Sequence, residues 1–327
     1  MLASIITTLF FSLFGLTAAA QPKTNAWALP GNNSFPEGIA RQARSPYFYT
    51  GSWITGTIWR GNVNKPDVEV FIPGGNEFNI TSASGMKVTK DNNLVVAGAA
   101  TGKVFVICLE SQQLLHRFQA PEGALLNDLA VAKNGNIFIT DSFLPKLYVI
   151  TPEHLENESV DQELETFAKL EAPFEHETGQ FNSNGIVVTD DQENVLIGDY
   201  NSHAIFRLCL GSKTITKVDF GNVAIGSPDG MLMRGNTLYA VNGDSILDTE
   251  AFIDVFDIRK PYTTGKHVRR IKGQGMLLPS TAAFDGNDLL VANFQIGKAA
   301  TADPTLPFTI VRVSTKKSRT RGSRMPA

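Results

Sequence analysis

The sequence predicts an all-β fold: a six-bladed β-propeller of four-stranded antiparallel blades, closed by pairing of the N- and C-terminal segments. Three observations carry that expectation. Six short segments align on one another. Short β-rich runs separated by Gly, Asn, Asp or Pro recur after residue 20. Helical periodicity is hard to find anywhere in the same stretch.

The aligned segments are Glu37-Gly38-Ile39-Ala40, Ser84-Gly85-Met86-Lys87-Val88, Asn127-Asp128-Leu129-Ala130-Val131, Asn184-Gly185-Ile186-Val187-Val188, Asp229-Gly230-Met231-Leu232-Met233 and Ser280-Thr281-Ala282-Ala283-Phe284. Their first residues are 47, 43, 57, 45 and 51 positions apart, a period near fifty that marks a structural unit. Four strands can be read in each unit, for example 85–89, 94–97, 103–109 and 113–119 in the second. The third reads 127–132, 136–140, 146–150 and 163–169, and the fourth 185–189, 195–198, 204–210 and 215–220. Between the first two strands lie Asp91-Asn92-Asn93, Asn134-Gly135-Asn136 or Asp285-Gly286-Asn287, residue types that tolerate tight hairpins.

The sixth unit supplies only three strands, ending with Phe308-Thr309-Ile310-Val311-Arg312-Val313. Its missing outer strand is expected from Ala26-Trp27-Ala28-Leu29-Pro30, which precedes Glu37 as Arg117-Phe118-Gln119-Ala120-Pro121 precedes Asn127. Such closure leaves no free edge, so residues 21–315 are read as one domain.

Residues 1–20 carry an apolar run, Ile5 to Leu16, ending in Thr17-Ala18-Ala19-Ala20, the pattern of a cleaved secretory signal. The run is short for a membrane span, and no later stretch is long and apolar enough for one. Three sequons, at Asn32, Asn79 and Asn157, fit a glycosylated extracellular protein. Cys108 and Cys209 fall at equivalent places in units that are not neighbours, so two free, buried thiols are expected rather than a disulfide. The net charge is −3, but residues 316–327 hold five basic side chains, Lys316, Lys317, Arg319, Arg321 and Arg324; without them the body stands at −8. That tail has no apolar periodicity and reads as disordered, and the balance gives no support to nucleic-acid binding. A monomer acting on a small molecule is expected.

In a propeller the first strand of each blade lines the central channel, so the six register residues form a ring at one mouth. Glu37, Asn127, Asn184 and Asp229 would present two carboxylates and two amide oxygens to one point, with Ser84 and Ser280 completing the circle less strongly. Hard oxygen donors without Cys or His suit Ca²⁺ best, with Mg²⁺ or Mn²⁺ possible and Zn²⁺ less natural. Two carboxylates buried this close would raise each other's pKa unless a cation neutralised them. The competing reading is that Asn-Gly and Asp-Gly merely satisfy backbone turns.

Pro36-Glu37-Gly38, Leu126-Asn127-Asp128, Ser183-Asn184-Gly185 and Pro228-Asp229-Gly230 resemble the four ring motifs of the regucalcin/gluconolactonase (senescence-marker-protein) propellers, relatives of strictosidine synthase-like and paraoxonase-type propellers. The resemblance implies Glu37, Asn184 and Asp229 as metal ligands, with Asn127 as a further ligand or an orienting group for substrate and water. It implies a lactonase in which the metal polarises the ester carbonyl and Asp229 assists the attacking water. The alternative is a non-catalytic propeller whose ion staples the channel mouth while the loops bind a ligand or partner.

The chain departs from that pattern around Ser84 and Gly98-Ala99-Ala100-Thr101, where the arginine and aspartate pairs of sugar lactonases are missing. No histidine pair of the paraoxonase type is found. His116 and His267 are expected on outer strands as surface imidazoles, and His176 and His203 in loops on the metal face. Asp141, Asp199, Asn242 and Asn293, one strand further out, either buttress the ring or cap their own turns. Insertions 171–183, 243–251 and 297–307 offer Phe174, Phe181, Ile246, Leu247, Phe252 and Leu306 as walls of an apolar pocket.

Overall fold

The computed structural model describes residues 24–243, 250–299, 301 and 303–316. The expected signal segment 1–20 and all of the basic tail beyond Lys316 lie outside them, as do Ile246 and Leu247.

Strand β1 (Ala26–Ala28) comes first and stands apart from the strands that follow it in sequence. Blade one contains β2 (Pro36–Arg41), β3 (Tyr47–Ser52), β4 (Ile58–Asn62) and β5 (Val68–Ile72). Blade two contains β6 (Met86–Val88), β7 (Asn93–Ala97), β8 (Lys103–Cys108) and β9 (Leu114–Gln119). Blade three opens with β10 (Leu126–Val131), β11 (Ile137–Asp141) and β12 (Lys146–Ile150), followed by one turn of helix, α1 (Pro152–Leu155). The chain then crosses to blade two as β13 (Asp161–Glu163) and returns as β14 (Glu165–Lys169) to finish blade three.

Blade four contains β15 (Ser183–Val188), β16 (Asn194–Asp199), β17 (Ala204–Cys209) and β18 (Ile215–Lys217). Blade five contains β19 (Met231–Arg234), β20 (Thr237–Asn242), β21 (Phe252–Ile258) and β22 (Gly265–Lys272). Blade six contains β23 (Ala282–Asp285), β24 (Asp288–Ala292) and β25 (Thr309–Ser314), and β1 pairs antiparallel with β25 as its outer strand. The molecule is therefore a six-bladed propeller of antiparallel sheets. No described helix is long and apolar enough to cross a membrane.

The core lies in the seams between blades. Each seam holds one apolar cluster, such as Met86, Leu94, Val96 and Phe105 of blade two against Tyr49, Ile58 and Phe71 of blade one. Alternation along each strand sends successive side chains to opposite faces, so the middle strands feed two seams and are mostly buried. At the closure, Trp27 of β1 is fully buried against Phe48 and donates its indole N–H to the carbonyls of Asn62 (2.9 Å) and Lys65 (2.7 Å). Arg312 of β25 pairs with Asp285 and lies 5.3 Å over the Trp27 ring, so one residue ties the closing strand to its sheet.

Three expectations need correction. The cysteines are free but half-buried rather than buried, because each ends a strand at the turn; hydrogen bonds from Ser111 and from Ser212 pull the respective thiols below the ordinary range. His116 is buried instead of exposed, because β13 pairs in parallel with β9 and covers that edge. Its ring nitrogens meet the carbonyls of Leu155 and Ser159. His267 is half-covered and bound to the buried Asp254 carboxylate at 2.8 Å.

Candidate metal and substrate site

Glu37, Asn127, Asn184 and Asp229 line one cavity at the channel mouth, about 120 Å³ in volume. The local backbone explains their convergence. In blades one, three and four, the pairing of the first two strands slips between Pro36 and Ile39, between Leu126 and Leu129, and between Ser183 and Ile186. A bulge of this kind leaves Glu37-Gly38, Asn127-Asp128 and Asn184-Gly185 outside the regular ladder and re-aims their side chains. In blades one and four glycine follows the register residue because the inner strands crowd at the axis. A Cβ on Gly38 would stand 2.1 Å from the Ser84 carbonyl oxygen, and one on Gly185 would stand 2.0 Å from that of Asp229.

Three of the four ring residues are buried, Glu37 at 4%, Asn127 at 3% and Asn184 at 4% exposed, and Asp229 is half-buried. Asn127 donates from Nδ2 to the Ser142 hydroxyl at 2.9 Å, and Ser142 in turn donates to the Ser183 carbonyl at 2.8 Å, which turns the Asn127 amide oxygen to the cavity. Asn184 hydrogen-bonds the Asp229 carboxylate, which also accepts from the Gly230 backbone. Three oxygens are left buried with no hydrogen-bond partner: Glu37 Oε2, Asn127 Oδ1 and Asn184 Oδ1. Buried polar atoms are normally satisfied, so three orphan acceptors in one cavity are an arrangement suited to a cation. Among the described residues no cluster of three or more His, Cys, Asp or Glu could hold a metal, and this set fits only because amide oxygens complete its two carboxylates.

Electrostatics agree. Burial, then the charges of Asp229 and Asp128, push the Glu37 carboxyl well above the usual carboxylate range, with Lys87 acting against them. Burial, then Asp128, pushes Asp229 up as well. Without a cation the pair favours protonation.

Ser84 and Ser280 do not join the ring. Ser84 donates to the carbonyls of Ala97 (3.1 Å) and Leu126 (2.9 Å), and Ser280 to that of Glu37 (2.6 Å), so both hydroxyls reach a neighbouring blade. Asp141 caps its own turn, accepting from the backbone of Leu125, Phe143 and Leu144 and from the Tyr148 hydroxyl. Asn293 likewise bonds Leu277, Gly275 and Thr309. Asp199 accepts from Asn201 and Ser202, and Asn242 donates to Ala240. Asp141 and Asp199 thus cap their own turns, whereas Asn293 ties segment 275–277 to β25 and Asn242 bonds a carbonyl of its own strand; the residue that steadies the ring is Ser142, one position beyond Asp141.

The cavity wall is aromatic and apolar: Trp53, Phe181, Tyr200, Phe294 and Ile296. Trp53 and Phe294 pack at 5.8 Å, and Phe181 rests on Phe143 at 5.3 Å. Of the expected wall residues that fall among the described residues, Phe181 alone lines this cavity. Phe174 and Phe252 are core residues, and Leu306 is 45% exposed elsewhere. No histidine lines it either. His203 bonds Ser227 at 3.0 Å, and His176 faces Asp199, whose carboxyl is raised by burial. Trp53 carries only a weak signal in the sequence, an aromatic directly after a second strand, at the rim. A larger groove of about 540 Å³ runs beside blade four, past His203 and Lys217, but contains none of the orphan oxygens.

No family model and no curated protein matches this sequence. Solved structures do. The major allergen of Malassezia sympodialis superposes with a TM-score of 0.62 at 12% identity, covering 92% of this chain and 99% of that one. A calcium-binding regucalcin from Agrobacterium tumefaciens gives 0.61 at 14% identity, covering 90% and 96%. A protein described as a candidate gluconolactonase gives 0.59 at 13% identity, covering 90% and 93%. The chain has the fold of these propellers. At such identities the likeness reaches the fold alone, and the site rests on its own residues.

Proposed function

We propose that this protein binds a divalent cation, Ca²⁺ ahead of Mg²⁺, Mn²⁺ or Zn²⁺, on Glu37, Asn127, Asn184 and Asp229, and hydrolyses a lactone or related ester there. The observation that carries the reading is the set of three partnerless buried oxygens at the floor of a cavity that also holds Asp229. A calcium-binding regucalcin and a candidate gluconolactonase among the structural neighbours support it. The apolar run at 5–16 and the exposed sequon residues Asn32, Asn79 and Asn157 support secretion to the extracellular space.

The bound ion would neutralise the paired carboxylates and polarise the ester carbonyl. Each ring residue has its own part. Asn184 fixes the Asp229 carboxylate, which, once ionised, takes the proton of the attacking water. Asn127, locked by Ser142, orients the carbonyl end of the substrate. Trp53, Tyr200, Phe181 and Phe294 exclude water and grip an apolar substrate body, where a sugar would need cationic and carboxylate partners that the described wall residues do not offer.

Turnover of lactones and aryl esters, abolished by chelation and by Asp229→Asn in folded protein, is the expected result. Turnover untouched by both treatments refutes it. Among the described residues the cavity is lined by no titratable side chain beyond Glu37, Asp229 and Tyr200, which favours the second reading, a metal-stapled binding module. It predicts a large thermal shift with Ca²⁺ and no turnover across the panel.

A further inference from the structure

A third buried carboxylate lies beside the ring. In blades one, two, four and five the residue after the register position is glycine, whereas blade three has Asp128. Opposite it, a Cβ on Gly85 would meet Asp128 Oδ1 at 2.5 Å and the Asn127 carbonyl oxygen at 2.7 Å, so Gly85 makes the room that Asp128 fills. Asp128 is 3% exposed. It accepts from the backbone N–H of Leu129 at 2.8 Å, from that of Ile186 in blade four at 3.5 Å, and from Lys87 Nζ in blade two at 3.1 Å. Lys87 occupies a position that the other blades give to Ala40, Ala130, Val187, Leu232 and Ala283. A lysine in that apolar belt is explained by the carboxylate it reaches.

Resting on the cation site proposed above, we propose that the Lys87–Asp128 pair sets the fixed charge around the ring to the value a divalent ion neutralises. Glu37, Asp128 and Asp229 contribute three negative charges and Lys87 one positive, leaving two. Asp128 and Lys87 act on Glu37 in opposite senses, and Asp128 acts on Asp229 too, so both members of the pair are felt by the ligands. The two are positioning residues: neither lines the cavity. Asp128→Asn keeps the shape and the backbone acceptor but leaves an ammonium uncompensated beside the ring. Removing both charges restores the balance.

The test is calorimetric titration of CaCl2 into the chelator-stripped full chain and its variants, with thermal melts in chelator as the folding control. Wild type and Asp128→Asn/Lys87→Met should bind within threefold of each other, and Asp128→Asn alone should bind at least about tenfold more weakly. A second readout uses Lys87→Met: the ratio of Tb³⁺ to Ca²⁺ affinity, followed by Tb³⁺ luminescence, should rise at least about tenfold, because the site has gained one negative charge. An Asp128→Asn variant that binds like wild type, a double variant as weak as the single one, or an unchanged Tb³⁺/Ca²⁺ ratio overturns the inference while leaving the cation site standing. Failure of the wild type to bind Ca²⁺ removes the cation site and this inference with it.

Discussion

Blades two and six place serine at the register where blades one, three, four and five place Glu, Asn, Asn and Asp, and the two groups do opposite things. A serine hydroxyl is short and must donate, and the nearest acceptor is a carbonyl of an adjoining blade; Ser84 and Ser280 therefore close seams. The longer side chains reach past the seam to the channel mouth. Glu37 Oε2, Asn127 Oδ1 and Asn184 Oδ1 have no hydrogen-bond partner among the described residues, and all three residues line the cavity. A shared register fixes where a side chain starts. Its donor and acceptor chemistry decides where it goes.

The sharpest way to break this contrast is at Asp229. Asp229→Asn should lower both Ca²⁺ affinity and ester turnover by about a hundredfold or more, read by calorimetry and by a chromogenic ester assay; loss of turnover with Ca²⁺ affinity intact would make Asp229 a base and not a ligand. Glu37→Gln should separate function from stability. Calcium binding falls, yet the metal-free protein gains stability at neutral pH, because the amide carries no charge for burial to penalise, and calorimetric melts in chelator measure the gain.

The metal-free protein should also lose stability as pH rises. Both ring carboxyls are held above their unfolded values near 4, so the folded chain carries more protons than the unfolded one across that interval. Their stabilising contribution is complete below pH 4 and is lost as pH climbs through the raised values. Melting temperatures between pH 5 and pH 8 should therefore fall in chelator and stay level in saturating Ca²⁺; equal slopes would mean that the ring binds no ion. The smallest effect belongs to the serines. Ser84→Ala and Ser280→Ala should each cost about 1 kcal/mol of stability with Ca²⁺ affinity unchanged, measured by denaturant titration and calorimetry.

Much of the fold was legible because each blade is a local unit. Strand periodicity, hairpin residues and a fifty-residue spacing all lie within a short stretch of chain, and Trp27 marked the closing strand by mirroring Phe118 in the second repeat. The strand β13 was not legible, since three residues with two possible edges carry no periodic signal; only the position of blade two shows which edge they join. The burial of His116 has the same cause. Of the candidate site, the four ring residues were readable from register, and Phe181 from its place in an insertion. Trp53, Ser142 and the Lys87–Asp128 pair were not, because each acquires its role from a neighbouring blade more than ten residues away in sequence or from the rim as a whole.

By itself, then, the sequence determined the repeat, the number of blades, the closure and the four oxygen-bearing residues held in phase, all consequences of periodicity along one dimension. Only the tertiary structure decided which register residues face the axis and which staple seams, that the cavity wall is aromatic, and that a lysine of blade two neutralises an aspartate of blade three. Those outcomes depend on bulges that re-aim side chains and on hydrogen-bond partners supplied across seams, and distance across a seam is not written in spacing along a chain.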